Sequence, residues 1–406
     1  MRWSPLITGT QSIPYRKRLD EIASDLVREW TKMEDPGLMG GLAGIALFFW
    51  HYSLFTGSSF YRDTVYKILD KIVSGIDEGF SHPSLADGVT GIAWTLAHLK
   101  GNGLTLDNEE DLLIPLDRFL DRYLCHNCDS RDYDYLHGIM GIAFYLSQRR
   151  KKNPSVESPG NLFYQMNGEN HGTTLKAVHP GNLEAYLHGP VVDLGLAHGV
   201  TGIIAFLNEA IRLRVNGSSD MKQTLRFAIG FLLAQQRNPD RSGSCFPNKT
   251  GDKNRRSISR LAWCYGDLGI GMVLLESSII LNDKRLEAFS MKLLDHSARR
   301  LDPASNKVTD ASLCHGSSGI AHIFNRLYQK TGTGSFLSPA MHWLRVTLET
   351  TGDPMNQPGL VCGKCEPDSG NRMPYGLLEG KAGIGLSLLA AISTITPGWD
   401  NVLMIN

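Results

Sequence analysis

The sequence has no surplus of either charge. Its 41 lysines and arginines balance 41 aspartates and glutamates, giving a formal net charge of zero. A protein that wraps a polyanion carries a basic excess, so no nucleic acid partner is expected. The chain also lacks any run near the ~18 apolar residues that span a bilayer. Its densest run, Ile45 to Trp50, is far shorter. Met1 to Asp20 has no apolar stretch behind a basic start, so no secretory signal is expected. Cysteine is sparse and odd in number, seven in 406 residues. Without a signal, that count points to a reducing cytoplasm and to thiol or metal chemistry rather than a disulfide framework. With 42% apolar and 20% charged residues, the composition is that of a folded chain, not a disordered one.

Glycine is in excess. There are 42, where average usage gives roughly 28. The excess is periodic. A G-x-x-G tetrad followed by Ile and an apolar stretch starts at Gly41, Gly88, Gly138, Gly199, Gly266, Gly316 and Gly380, at intervals of 47, 50, 61, 67, 50 and 64 residues. The run after each tetrad is apolar nearly all round, as in a helix buried on most sides. The segments before are amphipathic. Arg16 to Met33 sets Leu19, Ile22, Ala23, Leu26 and Trp30 on one face, and Asp111 to Tyr123 and Met221 to Gln235 resemble it. Each unit is therefore an outer amphipathic helix, a Gly-rich turn and an inner buried helix, and such units must stack to bury their faces. The expected fold is all-α: an α/α toroid of seven inner and seven outer helices, with an open solenoid as the alternative. The stretch 149–192 departs from the repeat. It reads as a small β-containing insertion, or else as an ordinary long loop, in a single domain spanning 1–406.

In a ring, equivalent positions face one end of the barrel. The residue before each tetrad is Gly40, Asp87, His137, His198, Tyr265, His315 and Glu379, and the residue before that is Met39, Ala86, Leu136, Ala197, Cys264, Cys314 and Leu378. Cys264 and Cys314 thus share a position in adjacent repeats, and His315 follows Cys314. Two cysteines and one histidine with an open fourth place form a catalytic zinc set. A lone buried cysteine is ordinarily a small core residue. His198, at the matching position in repeat four, reads as a general acid/base or as a histidine bonding its own turn. Asp134, four residues before Gly138, would orient His198, donate a proton itself, or cap a helix. Asp132 competes for that role. His137 and Asp87 read as local backbone partners. Arg260 and Tyr265 flank Cys264 and would steady an anion near the metal, or serve the structure. Cys125/Cys128 and Cys362/Cys365 form C-x-x-C pairs, read as free thiols by default and as a second zinc site otherwise.

The repeated G-x-x-G-I pattern, LAHGVTG at Leu196–Gly202, RLAWCYGDLG at Arg260–Gly269 and LCHGSSG at Leu313–Gly319 resemble the lanthionine cyclases, the LanC-like family, over about residues 36–390. The chain's length resembles that of the stand-alone class I lanthipeptide cyclases. The resemblance implies a toroid with one catalytic zinc ion at one barrel end, held by Cys264, Cys314 and His315. It implies His198 and Asp134 as acid/base candidates and Arg260 and Tyr265 as active-site supports. Tyr133-Asp134 fits the family's Y-D-x-x-x-G context better than Asp132 does. The implied reaction is zinc-dependent addition of cysteine thiols to dehydroalanine or dehydrobutyrine in a precursor peptide of leader and core, forming (methyl)lanthionine rings. Implied partners are that dehydrated peptide and a biosynthetic complex with dehydratase and exporter. The expected location is the cytoplasm, or peripherally the inner face of the membrane through that complex. Rival readings are a LanC-like enzyme adding glutathione to dehydroamino acids, a non-catalytic zinc-stabilised peptide-binding scaffold, and a toroid glycosidase using Asp87, Asp134 or Glu379.

Overall fold

The fold was taken from a computed structural model, which describes residues 3–77, 79, 81–105, 109–127, 130, 132–152, 180–213, 218–252, 258–352 and 375–405. The helices are α1 (Ile13–Glu29), α2 (Leu42–Thr56), α3 (Ser59–Asp77), α4 (Val89–Gly101), α5 (Glu109–Asn127), α6 (Ile139–Lys152) and α7 (Pro180–Leu187). They continue as α8 (Val200–Arg212), α9 (Ser218–Ala234), α10 (Asp267–Leu281), α11 (Lys284–Ala298), α12 (Ser317–Thr331), α13 (Gly334–Gly352) and α14 (Lys381–Ile392). Among the described residues the β structure is a single isolated bridge, Asp193 to Lys249. The chain is all-α, as the periodicity predicts.

Every even-numbered helix begins at the residue after the first glycine of a tetrad. These are the inner helices. In α2 every residue from Leu42 to Ser53 is buried, so no face is left for solvent. The odd-numbered helices are amphipathic. α1 buries Tyr15, Leu19, Ile22, Ala23 and Leu26, the spacing of one helical face, and turns its charges outward. Each fully buried Leu or Ile on that face contributes about 1.5–3 kcal/mol. Proline in the first turn starts α1, and Gly57, in the left-handed region at φ 73°, ends α2 by donating its N–H to Ser53.

The chain folds as two compact units, one of Met1–Phe80, Arg260–Leu268 and Lys292–Asn406, the other of Ser81–Ser259 and Gly269–Met291. In the first unit, α14 packs against α12 on one side and against α1 and α2 on the other. The last repeat therefore abuts the first, where an open solenoid would leave them apart. The chain ends are bolted to the same place. Leu6 and Ile7 donate their backbone N–H groups to Ala391, and buried Asp400 holds His322 and Arg326 of α12. In the second unit α4 and α6 pack on α5 and on each other, and α8 packs on α6 and α9.

The stretch 149–192 is the one read from sequence as a small β-containing insertion or a long loop. Its described ends are helical, in α6 and α7, and 153–179 lie outside the described residues.

Glycine in the tetrads serves close approach of backbone to backbone. A Cβ on Gly383 would sit 1.8 Å from the Leu377 carbonyl oxygen, and one on Gly319 would sit 1.9 Å from that of Leu313. Gly266 adds a conformational demand, since its φ of 88° is one that side chains disfavour.

Candidate active site

The turns before the inner helices share one construction. The residue two before each tetrad is buried, and the residue one before is partly or largely exposed, in all seven repeats. Backbone hydrogen bonds tie neighbouring turns side to side. In the first unit Cys264 and Trp263 donate to the Cys314 carbonyl, Cys314 donates to Leu378, and Leu378 donates to Met39. In the second unit Leu85 and Ala86 donate to Leu136, and Tyr135 donates to Ala197. Equal positions in successive repeats are thereby held at neighbouring points, which is the step that sequence spacing alone does not give.

In the first unit this places Cys264, Cys314 and His315 together. One donor atom from each lies within 4.8 Å of the other two. Both cysteines are buried, while the His315 side chain is 11% exposed. His315 Nε2 lies 3.2 Å from Asp310 Oδ2, and its Nδ1 lies 4.0 Å from Glu379 Oε1. A hydrogen bond from Cys314, aided by His315 and by the charge of Arg260, outweighs burial and brings the Cys264 thiol down to about 6. The same hydrogen bond, together with burial, pushes Cys314 well up. Burial alone would lower His315, but hydrogen bonds to Asp310 and Cys264 carry it up to about 10.

The donor set fits a zinc ion. Zinc bonds of ~2.0–2.3 Å in a tetrahedron place ligand atoms about 3.5 Å apart, so the observed group needs only small side-chain adjustments. Two thiols and an imidazole are the soft and borderline donors that zinc prefers, and a carboxylate on the second imidazole nitrogen is the usual partner of a metal-bound histidine. Three protein ligands leave a fourth position open, which is the catalytic rather than the structural pattern.

Sequence reasoning missed Asp310. It stands six residues before its tetrad, where Asp35, Asp132 and Asp193 stand in other repeats. In that column the Asp carboxylate accepts the N–H two residues on, at 2.7 Å for Gly37, 2.8 Å for Gly195 and 2.8 Å for Ser312. Its carbonyl accepts the first N–H of the inner helix, as in Ser317 to Asp310 at 3.0 Å. The column is a turn-forming device, and in repeat six its second carboxylate oxygen also serves His315. Asp132 occupies the same column and accepts weakly from Asp134 N–H, as the turn device predicts. In repeat five the column holds Arg260, whose charge lowers both thiols. Tyr265 is half-buried next to Cys264, in the column of His315.

In the second unit, His198 Nδ1 lies 2.6 Å from Asp134 Oδ2. The other carboxylate oxygen, Oδ1, accepts the backbone N–H groups of Leu136 and His137, each at 2.8 Å. Burial would raise the Asp134 pKa, but the hydrogen bonds from His198 and His137 hold it below the ordinary carboxylate range. The His137 ring lies parallel to that of His198, ring centres 6.0 Å apart and planes within 6°. Its Nδ1 is 3.9 Å from Asp87 Oδ1. Of the C-x-x-C cysteines only Cys125, in α5, is described, and Cys128, Cys362 and Cys365 lie outside the described residues.

Residues 32–404 match the family described as lanthionine synthetase C-like protein. The chain belongs to the lanthionine synthetase C-like family. The nisin biosynthesis protein NisC of Lactococcus lactis subsp. lactis is 24% identical over 351 residues, covering 78% of this chain and 80% of that protein. The solved structure of nisin cyclase superposes with a TM-score of 0.70 at 21% identity, over 96% of this chain and 97% of that one. The fold is thus the α/α toroid of nisin cyclase. The motifs that carry the resemblance are the turns that hold the two clusters. Within the lanthionine synthetase C-like fold described here, no helix among the described residues is long and apolar enough to cross a membrane.

Proposed function

We propose that the protein is a zinc-dependent lanthipeptide cyclase, joining cysteine thiols to dehydroalanine or dehydrobutyrine in a dehydrated precursor peptide to close (methyl)lanthionine rings. The observation that carries the reading is the Cys264, Cys314 and His315 donor set, within 4.8 Å, in a chain of the lanthionine synthetase C-like family. The relative named for nisin biosynthesis supports a peptide substrate of this class.

A free thiol is mostly protonated near neutral pH, and the thiolate is the nucleophile. Zinc held by the three side chains would supply a Lewis-acidic fourth position where a peptide thiol is kept as thiolate. The sulfurs of Cys264 and Cys314, as thiolates holding such an ion, would offset its charge and so favour a reactive substrate sulfur. Asp310 fixes the His315 ring, and the Arg260 charge favours the ionised form of the Cys264 sulfur. Tyr265, in the same turn as Cys264, supports the site from its edge.

Attack on the β-carbon forms the C–S bond, moves the alkene electrons onto Cα as an enolate, and requires a proton at Cα. The proton given up by the thiol balances the one gained there. His198 is the residue that supplies it. The ionised Asp134 accepts from Nδ1–H, which fixes the tautomer and leaves Nε2 to carry the transferred proton. Because Asp134 is held ionised, its role is to orient and charge-stabilise His198 rather than to donate.

The dehydratase and exporter of the same biosynthetic system are the expected protein partners, and the cytoplasm is the expected compartment. The chain is read as one family domain, 1–406, with an insertion near 149–192. Removing metal with a chelator and restoring it tests the reading. Ring formation on a dehydrated peptide should stop on removal and return with about one zinc per chain. Undiminished ring formation by metal-free protein would refute it.

A further inference from the structure

His137 was read from sequence as a local backbone partner, yet it touches both members of the His198–Asp134 pair. Its backbone N–H donates to Asp134 Oδ1 at 2.8 Å, and its ring lies parallel to that of His198. Its own Nδ1 points to Asp87 Oδ1 at 3.9 Å, and that same oxygen lies 3.5 Å from His82 Nδ1. Asp87 is in turn held by the Ser84 hydroxyl. In the turn of His137 itself, Tyr133 meets Tyr186 edge to face at 5.0 Å, and Tyr186 feels the Asp134 charge.

A half-exposed imidazole can still swing about its Cα–Cβ and Cβ–Cγ bonds. The His198 side chain is 33% exposed, and Asp134 grips its Nδ1. A parallel ring beside it, centre to centre at 6.0 Å, narrows that freedom. The exposed −1 column puts such a ring there, since Gly138 and Gly199 begin neighbouring inner helices and their preceding residues stand side by side.

We propose that His137 is a positioning residue for His198: its ring fixes the face of the His198 imidazole, its N–H fixes the Asp134 carboxylate, and Asp87 holds His137 in place. The proposal rests on the reading of His198 as the residue that protonates Cα. It extends that reading from a pair to a braced row, Asp87–His137–His198–Asp134, across three successive turns. A purely local role for His137 would leave the chemical step untouched, because 55% of its side chain is open to solvent and little packing is lost with it.

The test is steady-state ring formation on a dehydrated peptide, followed by loss of alkylatable thiols, for His137→Ala, His137→Phe, Asp87→Asn and His198→Ala. Misplaced acids lose rate in the chemical step. His137→Ala should lower kcat on the order of tenfold and leave KM and zinc content near wild type. His137→Phe, which keeps a flat ring, should recover most of that loss, and Asp87→Asn should fall between. Wild-type kcat in His137→Ala, a loss confined to KM, or no recovery with Phe would overturn the proposal. Wild-type kcat in His198→Ala would overturn the reading of His198 itself. A damaged His198→Ala beside an unaffected His137→Ala would remove the positioning role alone.

Discussion

The backbone N–H of Cys264 points at the carbonyl oxygen of Cys314, 3.4 Å away. Fifty residues separate these cysteines in sequence, yet this contact sets their thiols side by side. It is one rung of the series that joins neighbouring turns, and it converts a repeat position into a shared donor group. Because the rung is made by backbone, replacing either side chain leaves it intact. Cys264→Ala and Cys314→Ala should therefore stay folded, with near-native circular dichroism, while bound zinc falls from about one per chain toward none. Unfolding of both variants would instead mark the metal as a structural staple.

Asp310 gives a graded version of the same test. Its carboxylate lies 3.2 Å from His315 Nε2 and also accepts from Ser312 N–H. Asp310→Asn keeps the turn acceptor and weakens the grip on the imidazole. Zinc affinity should drop about 10–100-fold, with ring formation recovered at high zinc. Unchanged affinity in a competition titration with a chelating dye would remove Asp310 from the site.

Proton release on zinc binding follows from the protonation states of the metal-free site. Near pH 7.5 the Cys264 sulfur, at about 6, is ionised, the Cys314 thiol is protonated, and His315, at about 10, is imidazolium. Zinc takes two thiolates and a neutral imidazole, so binding should release about two protons per ion. Calorimetry in buffers of different ionisation enthalpy counts them. A count near zero would contradict the assigned states.

Asp134 makes stability depend on pH in one direction. Its pKa is lowered in the folded protein, so the stabilisation is present above the ordinary carboxylate range. It is lost as pH falls through the lowered value. Asp134→Asn should cost about 1 kcal/mol at neutral pH, and the difference from wild type should shrink in acid. Urea titrations across that range decide it, since a difference independent of pH would leave the carboxylate charge without a role in the pair.

The tetrad glycines can be tested against an unconstrained one. Gly383→Ala drives a Cβ toward the Leu377 carbonyl and the Leu313 side chain, whereas a Cβ on Gly230 in α9 meets nothing within 4 Å. The first should destabilise by several kcal/mol or abolish folding. The second should be neutral or gain about 0.5–1 kcal/mol from helix propensity. Equal effects in thermal melts would contradict the close-approach account of the repeat.

Much of this site was legible in sequence because the repeat supplied a coordinate system. Gly41 to Gly380 gave the register, and register alone aligned Cys264 with Cys314 and His198 with His315. Asp310 was missed although its column was readable in Asp35, Asp132 and Asp193. A carboxylate six residues away looks like turn chemistry, and the same turn hydrogen bond recurs at Asp35 and Asp193. The stacking of His137 on His198 was invisible for a different reason. Adjacent turns fix which residues are neighbours, but ring orientation depends on side-chain rotamers that a register does not carry. The ring itself was an inference from all-round apolar helices, and the packing of α14 against α1 and α2 supplies what the pattern left open.

The central claim is thioether ring formation, and mass spectrometry with thiol labelling reaches it most directly. Zinc-loaded protein is incubated with a dehydrated precursor peptide that still carries its cysteines, and the peptide is then alkylated. Ring closure leaves the peptide mass unchanged and removes alkylatable thiols, so the account predicts unlabelled peptide at a rate far above the enzyme-free control. Thiols that stay reactive at the uncatalysed rate would contradict it.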